Sequence, residues 1–173
     1  MVTLTTRQLA LFSVLTATCL GVQLSPRPGN VEFTSLITFT LGVFFGGVIA
    51  GMFGALVMFV NGFISPWGLA GMNMPFQMAG MAIIGVAGGI YRRYRTDESS
   101  RRFCAEAAIL GAFLTLIFDL ITNSGYAILT SIPIFLAFFT GMPMSVIHVF
   151  SNTVFFGFAF TPLSNVLQRF VGR

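Results

Sequence analysis

The sequence predicts an all-α integral membrane protein, a single domain of six transmembrane helices over residues 1–173 with both termini cytoplasmic. Three observations predict it. Of 173 residues, 55% are hydrophobic and only 8% are charged, against about 25% charged in soluble domains, so the long apolar runs need a bilayer as solvent. The nine basic residues are all arginines, and they cluster beside those runs rather than over a polar surface. That distribution reads as membrane topology and not as nucleic-acid binding. Finally, six spans of about 20 residues use roughly 120 residues, which leaves loops and tails but no separate catalytic or ATP-binding domain. Any energy source has to come from a partner.

The elements follow in order. Arg7 and the apolar run Leu9 to Val22 have the form of a signal peptide's charged start and core, with Thr16-Ala17-Thr18-Cys19 as a poor cleavage site. The favoured reading is a first transmembrane helix, closed by Ser25-Pro26-Arg27-Pro28-Gly29-Asn30, where prolines and a glycine cannot continue a helix. Val31 to Val60 would be about 45 Å long as one helix, well beyond a hydrocarbon core of about 30 Å. Crossing once, it would put the loop from Arg92 to Arg102 on the side opposite Arg7. Folded as a hairpin of two short helices turning near Gly42, Gly46 and Gly47, it puts eight of the nine arginines inside and leaves only Arg27 outside, as the positive-inside rule favours. The hairpin is therefore expected, with its short halves tilting less, extending into loops or being partly covered by protein. Helix four is expected over Pro75 to Ile90, helix five from Phe103 to about Ile121, and helix six over Gly141 to Leu167. Ala127 to Thr140, apolar but interrupted by Pro133, either extends helix five or folds back as a re-entrant piece.

The motifs of soluble chemistry are absent: there is no GxxxxGK[ST] loop, no HExxH helix and no CxxC pair. Cys19 and Cys104 lie in separate apolar segments and are expected to be buried small residues. His148 is the single histidine, so no metal site is expected, and no cofactor is implied. With the hairpin topology, Asp119, Asn123 and Tyr126 share one face of helix five at its outer end, and Ser145, His148 and Asn152 share one face of helix six. Asn61 ends helix three, Asn73 and Gln77 open helix four, Trp67 lies in the loop between them, and Arg27, Asn30 and Glu32 occupy the first outer loop. This convergence predicts an outward-opening cavity whose substrate-binding groups are Asn30, Glu32, Asn61, Trp67, Asn73, Gln77, Asp119, Asn123, Tyr126, His148 and Asn152. Plainer readings exist for several of them. Asp119 can be paired with Arg27 or hydrogen-bonded to His148, Asn123 and Asn152 can join helices, and Trp67 can be an interfacial anchor. Glu106, at the inner start of helix five beside Arg102, reads as structural. Small residues recur at Ser13, Ala17 and Gly21, at Gly46, Ala50 and Gly54, and at Gly85 and Gly89, which permits close helix approach. The first of these faces is a candidate surface for another membrane protein.

Over nearly the whole chain the sequence resembles the substrate-binding (S) component of an energy-coupling factor (ECF) transporter. The resemblance is carried by Pro28-Gly29-Asn30-Val31-Glu32, the Leu41-to-Gly47 hairpin with Gly51 and Gly54, Pro75-Phe76-Gln77-Met78, Asp119-Leu120-Ile121-Thr122-Asn123, and Gly141-Met142-Pro143 with His148 and Ser151-Asn152. It implies a six-helix bundle in the plasma membrane that captures a vitamin or related micronutrient from outside. It also implies association with a transmembrane coupling (T) subunit and two cytoplasmic ATPases, through a helix-one face that here is Ser13, Ala17 and Gly21. Nickel and cobalt members carry a histidine directly after the initiator Met; Val2 stands there in this chain. An organic ligand with amide or amine groups and an apolar body is expected, with a slight lean to a corrinoid or queuosine-precursor-like compound. The competing classes are an intramembrane enzyme using Asp119 and His148, and a non-transporting membrane scaffold.

Overall fold

The computed structural model describes residues 5–26, 29–64, 70–94 and 101–171. Among them the chain forms six α-helices: α1 (Thr6–Leu24), α2 (Thr34–Phe45), α3 (Gly47–Ile64), α4 (Ala70–Tyr94), α5 (Arg101–Thr130) and α6 (Ile134–Val171). Five of them are long and apolar enough to cross a membrane, and α2, with 12 residues, is not. Large apolar side chains point away from the bundle all around it; Val48, Phe139 and Phe158 are 75%, 74% and 81% exposed. A soluble monomer does not carry such a surface, whereas a bilayer covers it.

The run from Val31 to Val60 is a hairpin, as expected. Helix α2 stops at Gly46, whose φ of 95° lies in the region open to glycine but strained for a residue with a Cβ. The next helix starts at once, with the Ala50 amide donating to the Gly46 carbonyl at 3.1 Å. At about 18 Å, α2 is too short for a core of about 30 Å, and its surroundings show why that is tolerated. Every residue from Thr34 to Val43 is buried, because α2 lies inside the bundle against α3, α4 and α6. Its backbone is satisfied within the helix and its ends meet protein rather than lipid. Arg92 of α4 closes the C-terminal end of α2, donating from Nη1 to the Phe44 carbonyl at 3.3 Å, one of the carbonyls a helix end leaves without an internal partner.

Close approach of α2, α3 and α4 depends on glycine. A Cβ at Gly42 would sit 2.9 Å from the Gly88 Cα, and one at Gly47 would sit 2.9 Å from the Val86 Cα; neither contact can be relieved by a side-chain rotation. Below these contacts an aromatic cluster fills the core. Phe39 of α2 lies 5.5 Å from Tyr91, 5.5 Å from Phe156 and 5.6 Å from Phe160, distances typical of favourable ring pairs. The Arg7 guanidinium lies 4.8 Å from the Phe170 ring, and Tyr91 meets Phe160 at 6.3 Å. The start of α1 and the ends of α2, α4 and α6 therefore share one end of the bundle, which carries Arg7, Arg92, Arg93 and Arg169.

Several expectations are corrected. Of the two readings open for Ala127 to Thr140, extension of helix five holds as far as Thr130; the ends expected at about Ile121 and at Gly141 are corrected, since α5 continues to Thr130 and α6 begins at Ile134. The turn between them uses Ser131 at φ 55° and Pro133, which precedes the first residue of α6, where a missing N–H costs nothing. Helix α4 begins at Ala70 and carries Pro75 inside it, past the first turn, where the ring removes the hydrogen bond to the Gly71 carbonyl without ending the helix. Gly46 is the helix break and not part of an α3 packing face. Cys19 is buried, but Cys104 is exposed, on the outward side of α5. Glu106 receives the Tyr91 hydroxyl at 3.5 Å, a structural link between α4 and α5.

Candidate substrate-binding site

At the end of the bundle opposite the arginines, the loop entering α2 brings Glu32 into the protein, where it is 5% exposed. A carboxylate just before a helix is placed to accept the first free amides, and the Ser35 N–H reaches the two Glu32 oxygens at 3.3 and 3.1 Å. Two side chains from one face of α6 complete its shell. Asn152 Nδ2 donates to Glu32 Oε1 at 3.3 Å and His148 Nε2 lies 3.5 Å from the same oxygen. On its other side His148 Nδ1 meets Asp119 Oδ1 of α5 at 2.8 Å. Both ring nitrogens thus face carboxylate oxygens, which an imidazolium satisfies by donating twice. Burial alone would keep the Glu32 carboxyl protonated, but the hydrogen bonds from His148, Ser35 and Asn152 outweigh it and hold the group below the usual carboxylate range.

Beside this chain of charges lies a cavity of about 80 Å³, lined by Gln23, Asn30, Glu32, Met58, Asn61, Gln77, Met81, Phe118 and His148. Five helices and the α1–α2 loop contribute. Asn30 takes φ 61°, a left-handed conformation asparagine tolerates better than most residues, and its carbonyl receives the Ser151 hydroxyl at 3.5 Å, fastening the loop to α6. Gln23 donates to Thr34 Oγ1 at 3.2 Å, joining the end of α1 to the start of α2 across the same loop. Phe118 stands edge-on to His148 with ring centres 5.7 Å apart. The wall is unsaturated: Asn61 Oδ1 and Gln77 Oε1 are buried without a hydrogen-bond partner, as are Asp119 Oδ2, Asn152 Oδ1 and Asn73 Oδ1 around it. Native interiors rarely leave such atoms alone, and two of the five, Asn61 Oδ1 and Gln77 Oε1, belong to residues of the cavity wall itself.

Of the residues expected at the site, Asn30, Glu32, Asn61, Gln77 and His148 line the cavity, while Asp119 and Asn152 stand behind it and hold His148 and Glu32. Asp119 is thus hydrogen-bonded to His148. Asn73, Asn123 and Tyr126 do not line it. Asn73 donates to the Thr122 carbonyl at 3.1 Å, joining α4 to α5, and Asn123 turns back to the Asp119 carbonyl at 2.9 Å. Trp67 and Arg27 lie outside the described residues. The sequence reading missed Gln23, Met58, Met81 and Phe118. Gln23 had a signal, since with Cys19 it forms an i, i+4 pair on α1, and these two are that helix's buried residues. The methionines and Phe118 had none, being ordinary members of apolar runs. The Ser13, Ala17 and Gly21 face of α1 is exposed, and at Gly21 nothing among the other described residues lies within 4 Å of the Cβ position.

The apolar helices of the bundle define a multi-pass membrane protein, with a polar cavity near one end. A family profile described as "ECF-type riboflavin transporter, S component" matches residues 2–169, and the chain belongs to this family of ECF transporter S components. Members bind a small-molecule substrate in the membrane and work with T and ATPase subunits. They are transporter subunits, not enzymes, so Asp119 and His148 are not read as a catalytic pair. Comparison with curated proteins and with solved structures gave no match.

Proposed function

We propose that the chain captures an organic micronutrient rich in hydrogen-bond donors at the cavity between Glu32, Asn61, Gln77 and His148, and delivers it across the plasma membrane with an ATP-driven module. The observation that carries this reading is the set of buried, unpartnered acceptors around that cavity, in a member of a substrate-capturing family. In this reading the arginine-bearing end faces the cytoplasm, as the positive-inside rule favours, and the cavity faces outward. At about 80 Å³ it is smaller than the roughly 300 Å³ and upward that ligand pockets offer. Capture therefore requires the α1–α2 loop, held by Glu32 and Asn30, to give way. A ligand whose acceptors meet Asn152 Nδ2, His148 Nε2 and the Ser151 hydroxyl then takes over the hydrogen bonds that the loop gives up, while its N–H and O–H donors reach Asn61 and Gln77. The exposed Ser13, Ala17 and Gly21 face is the surface offered to the T subunit, its small residues allowing close helix contact.

The family's description names riboflavin, and a flavin offers ring N–H and chain hydroxyl donors on a flat aromatic body, which suits amides beside Phe118 and two methionines. A corrinoid or queuosine-precursor-like ligand is the competing proposal. Titration of riboflavin into the purified protein, read by quenching of flavin fluorescence, separates them. Saturation at one flavin per chain, weakened by Gln77→Leu, supports the flavin reading. Absence of saturable quenching removes riboflavin as the ligand.

A further inference from the structure

A second concavity lies at the arginine-bearing end, far from the cavity just described. It has a volume of about 460 Å³ and is lined by Gly46, Gly47 and Val48 at the α2–α3 break and by Val86, Gly89, Ile90, Arg92 and Arg93 on the last turns of α4. Arg92 spends one N–H on the Phe44 carbonyl, and Arg93 is exposed. Among the described residues no carboxylate pairs with either guanidinium. From this charged rim an apolar channel runs along the bundle. At its floor Gly47 and Gly51 of α3 lie directly against Val86 and Ala82 of α4, with Val86 Cγ2 3.7 Å from where a Cβ at Gly51 would sit. Its edges are exposed apolar residues at helical spacing: Val48, Met52 and Leu56 on α3, and Ile83, Val86 and Ile90 on α4.

We infer that this groove binds one anionic phospholipid, its phosphodiester held by Arg92 and Arg93 and an acyl chain laid along the α3–α4 channel. Arginine's planar fork of donors matches phosphate oxygens, and two arginines with no carboxylate partner among the described residues attract an anionic headgroup at a membrane surface. A free anion would account for the arginines but leave the channel unexplained. A zwitterionic lipid would use the channel and gain little from the net charge. An anionic phospholipid uses both, and the site does not depend on the identity of the transported ligand.

The test is native mass spectrometry of the full chain titrated with phosphatidylglycerol or phosphatidylcholine, for the wild type, Arg93→Gln and Arg169→Gln. Arg169 is an exposed arginine at the same end of the bundle but outside the groove, so it controls for general positive charge. Thermal unfolding of each variant checks that it is folded. The wild type retains one phosphatidylglycerol in preference to phosphatidylcholine, Arg93→Gln weakens that binding about five-fold, or roughly 1 kcal/mol, and Arg169→Gln leaves it unchanged. Equal retention of the two lipids overturns the inference and leaves the groove to a protein partner. Equal loss in the two variants reduces it to diffuse charge. Complete displacement of the lipid by inorganic phosphate removes the acyl channel from the account.

Discussion

Replacing His148 by alanine probes the charge chain at its centre, and the structure fixes how the cost divides. Glu32 would lose one long contact of 3.5 Å but keep the Ser35 amide and Asn152. Asp119 would lose the 2.8 Å bond to its Oδ1, and its Oδ2 already has no partner. The substitution therefore strands a buried carboxylate, the situation that costs about 3–5 kcal/mol when one member of a buried pair is removed. At about 2–4 °C per kcal/mol for a chain of this size, unfolding should fall by about 6–20 °C. Because the penalty is the stranded charge, Asp119→Asn introduced into His148→Ala should restore part of the loss, although alone it destabilises. The assay is thermal unfolding followed by the reactivity of the Cys19 thiol, which is 1% exposed in the fold, in a Cys104→Ser background. A double variant no more stable than His148→Ala would refute the assignment of the cost to Asp119.

Gln77→Leu and Asn61→Leu remove unpartnered cavity amides, so each should weaken ligand binding about ten-fold, or roughly 1.4 kcal/mol, while unfolding temperature holds or rises; calorimetric titration beside a melt checks both. Asn73→Ala should do the reverse, losing the Thr122 bond and about 1 kcal/mol of stability with ligand affinity unchanged. Gly42→Ala forces a methyl against the backbone of α4 and should cost about 1–3 kcal/mol or more, visible as a lowered melting temperature. Ala17→Trp on the exposed face of α1 should leave ligand binding intact and abolish uptake by the assembled transporter, separating capture from delivery in a vesicle transport assay.

The hairpin was legible because hydrophobic length and arginine placement are set by the bilayer, an environment as simple as a slab. The charge chain was partly legible for the same reason: Asp119 and His148 are costly inside apolar helices and so had to find partners. The Asp119–His148 pair was legible as one of two alternatives, but their link to Glu32 was not. Glu32 read as a cavity-lining residue of the first outer loop, and only the packing of α2 inside the bundle turns it onto His148 and Asn152. Asn73 and Asn123 show the opposite error, since an amide on a helix serves equally well as a bond to a neighbouring carbonyl. Their sequence positions do not distinguish that role from contact with a ligand. Helix ends were misjudged at α4, α5 and α6: Pro75 read as the opening of helix four but lies inside α4, and while Pro133 does mark the α5–α6 break, both helices run closer to it than the apolar runs suggested.

The central claim is that the unsaturated cavity beside Glu32 and His148 holds the transported molecule. The most direct test is mass spectrometry of the small molecules that copurify with the detergent-extracted wild type and with the Asn61→Leu, Gln77→Leu double variant. One compound rich in N–H or O–H donors, stoichiometric in the wild type and depleted in the folded variant, is the predicted result. A compound retained equally by both proteins would contradict it and place the ligand elsewhere in the bundle.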